Sequence, residues 1–580
     1  MGGLHLDLIL TLFFSGRKRV TIGYMDFAEK IKDAIRGVVG VGVEIELFHP
    51  TVLEHGDYAT NVALKLGGNS MEKAEEISGE LEENSSVREI VERIEVASPG
   101  FINFWITKDA LAREAEMILQ KGEKYGYSED GRGKTIVVDY SGPNIAKRFS
   151  VGHLRSTIIG QAIVNLYKFW GWDVKGDNHL GDWGRQFGVL LYQIISKGIK
   201  ADDLTVDQME ELYVEFNKET QENPDIWDEA RLWFKKLEEG DSEARGIWTT
   251  VRDKTLEEFK RIYKLLDVEI DYAYGESFYT KMMPEVIKEA QEKGLARESE
   301  GALIVEFPGG EYPPAILRKS DETTNYFTRD LATIKFRLKK WNPDLIVYEV
   351  GSEQALHFQQ LFKTAEMLGW AQLECFVHVK HGLYLSPEGR KFSTRKGDIV
   401  RLDDVLNEAI RRAKNLGAAR DDVARAVGVG AVKYFDLSHQ PASNIIFDWE
   451  KMMALEGNSA PYLQYTYARC RSVLLQAGMI NFQFLISNGL KNLSINNEEM
   501  MLLRNIYRFP EVAREAADTF SPNILANYLF ELSQKFNTFY SMHRVLGTDE
   551  QHNRLILVAA VSIVLKNGLG ILGISTPERL

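Results

Sequence analysis

The chain has 580 residues, 44% of them hydrophobic and 27% charged, with a formal net charge of −14 and two cysteines. That length and apolar content provide for two to four domains with sizeable cores. The acidic balance argues against non-specific nucleic-acid binding but leaves room for a local basic groove, because placement rather than total charge steers a polyanion. Cys375 and Cys470, far apart and alone, argue against a disulfide framework and a cysteine-based zinc site, which points to a reducing cytosol.

Residues 1–24 include LDLILTLFF, which is too short to cross a bilayer, contains Asp7 and has no basic segment ahead of it. A signal peptide is the rival reading, but the remainder of the chain does not resemble a secreted, disulfide-rich protein. Met25 opens an amphipathic stretch, MDFAEKIKDAI, and is expected to be the functional start, with residues 1–24 an atypical tail. Residues 25–107 read as a small α+β domain: VGVEIELFHP alternates with period two like a half-buried strand, and FINFWIT closes the region as another. A helix over 108–121 and a Gly-rich polar stretch connect it, across 108–133, to the body of the chain.

Residues 137–174 are the stretch around which the rest of the chain is organised. An apolar run over 136–138 ends in Asp139, and Gly142 and Pro143 break it. From Val151 the period changes, placing Leu154, Ile158, Ile159, Ala162, Ile163, Leu166 and Phe169 on one helical face. Gly171 ends that helix and Val174 starts a second strand. This is half of a βαβ unit with a helix N-terminus at the carboxyl edge of a sheet, where nucleotides and other anions bind. Asn144, Lys147, Arg148, Ser150, His153 and Arg155 crowd the turn with donors, and Gly152 leaves room for a flat ring or a phosphate.

Next comes NHLGDWGRQFG, whose glycines around Asp182 allow a ligand to approach the backbone closely. Residues 200–265 read as a charged, aromatic-interleaved helical insertion without a catalytic signature. YAYGESFY, a hairpin expected over 301–319, NYFTRDLATIKFRL and a buried parallel strand over 345–350 come after it. Gly351 to Gln354 stand at the carboxyl end of that strand, and GRKFSTRKGDIV occupies 389–400. From about 403 onward the chain is expected to be almost wholly helical, with no further strand–helix alternation.

PNIAKRFSVGHLRSTIIG resembles the signature of arginyl-tRNA synthetases, with SVGH standing where class I synthetases carry their HIGH motif. KFSTR occupies the place of the family's mobile KMSKS loop. HGDYATNVALKL and ASPGFINFWIT resemble the family's N-terminal domain, which touches the tRNA elbow. The stretch from Met453 to Leu474, FNTFYSMHRVLG and the closing GLGILGISTPERL resemble its helical anticodon-binding domain. The resemblance implies an α/β protein: a Rossmann-like class I catalytic domain with a parallel sheet over 134–402, an α+β elbow-binding domain over 25–107 and a helical anticodon-binding domain over 403–580. It also implies a cytoplasmic, monomeric ligase that joins L-arginine to tRNA(Arg) using ATP with Mg2+. Neither a prosthetic group, a metal site nor a membrane is expected.

Amino-acid activation is an in-line attack of a carboxylate on the α-phosphorus of ATP, so the protein must position two anions and stabilise spreading negative charge. The helix start at Val151 offers N–H groups and a positive dipole end. The catalytic set expected from this chemistry and the resemblance is Lys147, Ser150, His153, Lys391, Ser393 and Arg395. Asn144, Gly152, Gly181, Asp182 and Lys396 join His153 and Lys391 in holding ATP. A guanidinium calls for planar acceptors. Tyr326 and Asp330, four apart in YFTRD, match the family's guanidinium contacts, with Glu276 as a second acid. Asp139, Asn144 and Gln354 match positions that hold the α-amino end. Contacts to tRNA are expected from Asn61, Tyr462, Tyr465, Arg469 and Tyr540.

Two residues depart from the family pattern. Ser150 replaces the first histidine of HIGH, and Thr394 the second lysine of KMSKS, with Lys147 available to stand in for the missing charge. Another class I synthetase and a catalytically impaired tRNA-binding paralogue are the alternative readings.

Overall fold

The computed structural model describes residues 26–321, 325–390, 401–479, 481–490 and 495–580. Asp26 accepts the Glu29 N–H and starts helix α1 (Phe27–Val39), whose Phe27, Ile31 and Ile35 are buried. They pack against an antiparallel sheet of β1 (Tyr58–Thr60), β2 (Val91–Ala97) and β3 (Phe101–Ile106), in the order β1-β3-β2, with α2 (Ser70–Glu83) beside it. The strand expected from VGVEIELFHP does not form; only Phe48 bridges to Ala59. Its neighbour β1 is three residues long, and Glu44 and Glu46 turn to Lys65, so there is no ladder to extend. Helix α3 (Lys108–Lys121), capped by Thr107, leads into the next domain.

In that domain β4 (Thr135–Asp139), helix α4 (Val151–Phe169) and β5 (Asp173–Asp177) form the expected βαβ unit. An insertion comes next, made of α5 (Arg185–Ser196), α6 (Val206–Glu222), α7 (Ile226–Glu239) and α8 (Ser242–Leu266). The expected hairpin is a three-stranded antiparallel sheet: β6 (Ala296–Ser299), β7 (Ala302–Val305) and β8 (Ala315–Arg318). Helix α9 (Tyr326–Trp341), β9 (Leu345–Gly351), α10 (Ala355–Met367) and β10 (Phe376–His381) complete the domain. The main sheet is parallel, in the order β10-β9-β4-β5. Strand order reverses between β4 and β9, and α4 begins above that point, tied there by the Ser156 hydroxyl donating to Glu349 O (2.8 Å).

Helix α4 is buried well beyond the stripe that its sequence shows. Helices from the chain's C-terminal part cover its far side, so it is the shared core of two domains. Arg155 makes the seam: its Nε reaches Asp436 Oδ1 (3.2 Å), and its two terminal nitrogens donate to Ser443 O (2.6 Å) and Pro441 O (3.1 Å). The C-terminal part contains α11 (Leu402–Asn415), α12 (Asp421–Leu437), α13 (Ala460–Gln476), α14 (Phe509–Asp518), α15 (Pro522–Met542) and α16 (Gln551–Ile571). It is not purely helical, because β12 (Ile445–Ile446) pairs in parallel with β11 (Tyr384–Leu385). A two-residue strand leaves no periodicity to read. Helix α16 is apolar and long enough to cross a membrane, but 89% of its most apolar window is buried in the fold.

At the carboxyl edge of the sheet, Arg337 of α9 is fully buried between two acids. Its Nη1 lies 2.8 Å from Asp139 Oδ2, and its Nε and Nη2 lie 3.0 and 2.8 Å from Asp177 Oδ2. Burial pushes both carboxyls above their ordinary range, and the paired acids outweigh burial at Arg337 to keep its proton held well above the usual arginine value. Removing one partner of such a cluster leaves uncompensated buried charge, at a cost of about 3–5 kcal/mol. Arg337→Met is therefore expected to strip hydrogen-exchange protection from β4 and β5. Wild-type protection in those strands would contradict this reading of the cluster.

Candidate active site

The turn between β4 and α4 is held in an uncommon shape. Ser141 and Ala146 both have positive φ, 75° and 61°, a conformation that non-glycine residues adopt at a cost and often at functional sites. Gly181 pairs with Asn144 across the site, and a Cβ at 181 would overlap the Asn144 side chain. That close approach is the physical need behind the glycine of HLGD. Asp182 is turned inward: it accepts from the Ser277 N–H (2.8 Å) and hydroxyl (2.6 Å), while its carbonyl accepts from Trp248 Nε1 (2.9 Å). Gly275 gives this carboxylate room. Asp182 thus ties the loop to the YGES segment.

Ser150 is the N-cap of α4, and its N–H donates to His153 Nδ1 (3.1 Å). That bond requires an unprotonated Nδ1, so the ring proton sits on Nε2. Burial, then the charges of Lys147 and His381, lower the His153 pKa to about 4. The imidazole is therefore a neutral donor at physiological pH. Lys147 is half-buried, with its Nζ 5.6 Å from the centre of the Tyr213 ring on α6. A cleft of about 1130 Å³ opens beside this turn, lined in part by Lys147, Arg148, Gln186 and Tyr213.

A second group of side chains gathers around the start of α9. Asp330 lies between two histidines, 2.6 Å from His357 Nε2 and 3.6 Å from His179 Nε2. The buried His179 ring nitrogens have no hydrogen-bond partner among the described residues, and burial lowers the pKa of that ring. Tyr326, at the first position of α9, is 62% exposed, and its hydroxyl stands 3.9 Å from the Cβ position of Gly184. Glu276 Oε2 lies 3.0 Å from Arg329 Nη1, so one acid read from sequence as a substrate acceptor already faces a guanidinium of the protein. Burial, partly offset by Arg329 and aided by the charges of Asp330 and Asp182, raises the Glu276 pKa to about 7.

The structure thus brings together Asp139, Asn144, Gly181, Asp182, Glu276, Tyr326 and Asp330 at one sheet edge, with Gly152 and His153 at the adjoining helix start. Asp139 is spent on Arg337 and on the His179 backbone, so it holds the frame of the site from behind. Gln354 is exposed at the start of α10. Lys391, Ser393, Thr394, Arg395 and Lys396 lie outside the described residues. On α13 and α15, Arg469 lies between the rings of Tyr465 (4.8 Å) and Tyr540 (5.1 Å), both of which are exposed. Tyr462 packs inward on Phe530 instead. Asn61 stands apart in the first domain, bonded to Glu46. Sequence reasoning missed Arg337, His179 and His357. Arg337 was legible, because positions 326, 330 and 337 recur on one helical face.

A parallel sheet with a nucleotide-type helix start, an acidic pocket at the same edge, an intervening insertion and a helical C-terminal part is the architecture of a class I aminoacyl-tRNA synthetase. Residues 114–449 match the family model for the catalytic domain of class I (R) tRNA synthetases, residues 463–580 the DALR anticodon binding domain, and residues 25–106 the arginyl tRNA synthetase N-terminal domain. Arginine–tRNA ligase from Halothermothrix orenii is 39% identical over 582 residues, covering 96% of this chain and 100% of its own. That from Chloroflexus aurantiacus is 42% identical over 503 residues, covering 83% and 86%. The crystal structure of arginyl-tRNA synthetase from Plasmodium falciparum superposes with a TM-score of 0.83 at 25% identity, covering 97% of this chain and 100% of that one. The chain belongs to the arginyl-tRNA synthetase family, and its activity is the ATP-dependent ligation of arginine to tRNA.

The backbone N–H of residue 150 is by itself enough to set the His153 tautomer, although the Ser150 hydroxyl also lies 3.2 Å from Nδ1. Ser150→Ala is therefore expected to lower the rate of ATP–pyrophosphate exchange less than about tenfold. His153→Ala, which deletes the neutral Nε2–H donor at the start of α4, should cost about 10²–10³-fold. Equal losses in the two variants would assign the serine hydroxyl a direct role.

Proposed function

We propose that the chain makes arginyl-tRNA(Arg) through an arginyl-adenylate, with the residues around Asp330 reading the guanidinium and those around His153 holding ATP. The arginine carboxylate attacks the α-phosphorus, the bond to the β-phosphate oxygen breaks and diphosphate leaves. A ribose hydroxyl at the tRNA 3′ end then attacks the acyl carbon and AMP leaves. His153 donates its Nε2–H to phosphate, the N–H groups at the start of α4 face the same anion, and Lys147 adds a full charge. Gly152 and Gly181 keep backbone bare for the nucleotide, with Lys391, Ser393, Arg395 and Lys396 as the second clamp. Mg2+ enters with the ATP phosphates as part of the substrate.

Asp330, Tyr326 and Glu276 accept from the guanidinium, and Asn144 and Gln354 hold the α-amino end. The observation that carries this reading is the placement of Asp330, a carboxylate at the functional edge of the sheet whose protein partners are two imidazoles. The exposed tier of Tyr465, Arg469 and Tyr540 offers stacking surfaces for unpaired bases, and Asn61 belongs to the elbow-binding surface. We assign residues 25–107, 134–402 and 403–580 to the elbow-binding, catalytic and anticodon-binding parts, with α11 and α12 packed on both of the latter. The enzyme is taken to work as a cytoplasmic monomer.

Asp330→Asn keeps the size of the side chain but turns a charged acceptor into an amide. A hydrogen bond to a charged group contributes about 1.5–3 kcal/mol, so kcat/KM for arginine should fall about tenfold to a hundredfold while KM for ATP holds. Aminoacylation by this variant at the wild-type rate would place the guanidinium site elsewhere. Glu276 gives a second test. Its pKa of about 7 means that the carboxylate is lost as pH falls through neutrality. The arginine KM should therefore rise between pH 8 and pH 6, and Glu276→Gln should flatten that rise. A pH-independent KM in the wild type would remove Glu276 from the acceptor set.

A further inference from the structure

The helical insertion, which carries no catalytic signature in its sequence, meets the nucleotide-binding turn through a shared carboxylate. Asp207 sits in the first turn of α6, behind the Thr205 cap. One of its oxygens, Oδ1, lies 2.7 Å from Nε of Arg148, two residues before the N-cap of α4. The other, Oδ2, lies 3.0 Å from Nη1 of Arg401, the residue that directly follows the KFSTRKGDIV stretch. The two arginine-bearing segments also touch each other: Ser150 and Arg401 form an antiparallel bridge, and the Leu402 N–H donates to Phe149 O (3.2 Å). Glu210 lies 3.2 Å from Arg148 Nε and Glu211 3.3 Å from its Nη2, so α6 holds the Arg148 end of the clasp with further acids.

We infer that Asp207 is a positioning residue for the activation step: it clasps Arg148 and Arg401 to one helix and so fixes where the turn at 147–153 stands against residues 401–402. The physical argument is one of shared anchorage. Residues 145–149 lie in no helix or strand, and such a segment on its own does not hold a ligand-facing group to the fraction of an ångström that in-line transfer needs. A carboxylate that accepts from both Arg148 and Arg401, mounted on a capped helix, converts two independent positions into one. Asp207 gives both carboxylate oxygens to protein arginines beside the turn at 147–153, so its loss should appear in ATP kinetics and not in arginine binding.

This inference rests on the proposed role of residues 147–153 in ATP binding, and the test separates the two. In ATP–pyrophosphate exchange with tRNA present, Asp207→Asn is expected to lower kcat/KM for ATP about three- to tenfold, the scale of a charge pair at a half-buried site, with the arginine KM within about twofold of wild type. Arg401→Ala should give a similar loss. Because both residues act through one clasp, the double variant should be little worse than either single one. Normal ATP kinetics in Asp207→Asn, an arginine KM that shifts as much as the ATP KM, or fully additive losses would each overturn the inference. His153→Ala serves as the control. If it too leaves ATP kinetics intact, the nucleotide-site reading has failed, whereas an impaired His153→Ala beside a normal Asp207→Asn refutes only the clasp. Asp207→Glu, which can still reach both arginines, should recover part of the loss, and no recovery would count against the charge as the operative feature.

Discussion

The cluster of Arg337 with Asp139 and Asp177 is the constraint on which the active-site edge depends. Two strands end in an acid at the point where a substrate must enter, and one guanidinium from α9 holds both. A sheet edge lined by unpaired acids would be costly in so buried a place. With Arg337 in position, the edge closes, the register of α9 against β4 and β5 is set, and α9 can present Tyr326 and Asp330 nearer its start. The buried cluster therefore serves less as a source of net stability than as a gauge that places Tyr326 and Asp330.

Charge balance makes the pocket selective in sign. Asp139, Asp177, Glu276 and Asp330 outnumber Arg329 and Arg337, so the site carries an excess of negative charge that a cationic side chain can satisfy. The two acids proposed as guanidinium acceptors differ in state. Glu276 is already faced by Arg329 and raised to a pKa of about 7, while Asp330 is held between imidazoles. On the proposed reading, arginine competes with a protein guanidinium at one acid and with a histidine at the other. On the side proposed for the nucleotide the electrostatics is simpler: a neutral, oriented His153 and a helix start provide fixed dipoles, and Lys147 provides a full charge.

The βαβ unit, the insertion, the helix over 108–121 and the C-terminal helices were legible because long periodic stretches with clear breakers carry their own signal. The strand expected in VGVEIELFHP failed because alternation marks exposure, whereas a strand also needs a long enough partner. Helix α4 read as amphipathic but is buried beyond that stripe, since a pattern seen in one segment cannot show which distant helices will cover its polar side. Motif positions such as Asp330, Tyr326 and His153 were readable one by one. Their partners were not: His357, His179 and Arg329 matter only through contacts made across the sheet edge. Asp182 shows the same limit, because its sequence neighbours suggest a ligand contact while its oxygens are given to Ser277.

The central claim is that a charged, partly buried acceptor set reads the guanidinium itself. Citrulline has nearly the same shape as arginine but presents a neutral urea, with an oxygen where arginine has an N–H donor. A site built to pair with those donors rejects an analogue that lacks one by about 10⁴–10⁵. The decisive measurement is kcat/KM for arginine and for citrulline in tRNA-dependent ATP–pyrophosphate exchange by the wild-type protein. A preference for arginine of about 10⁴-fold or more is the expected result. Activation of citrulline within about a hundredfold of arginine would mean that shape, not charge, selects the amino acid, and would contradict the account.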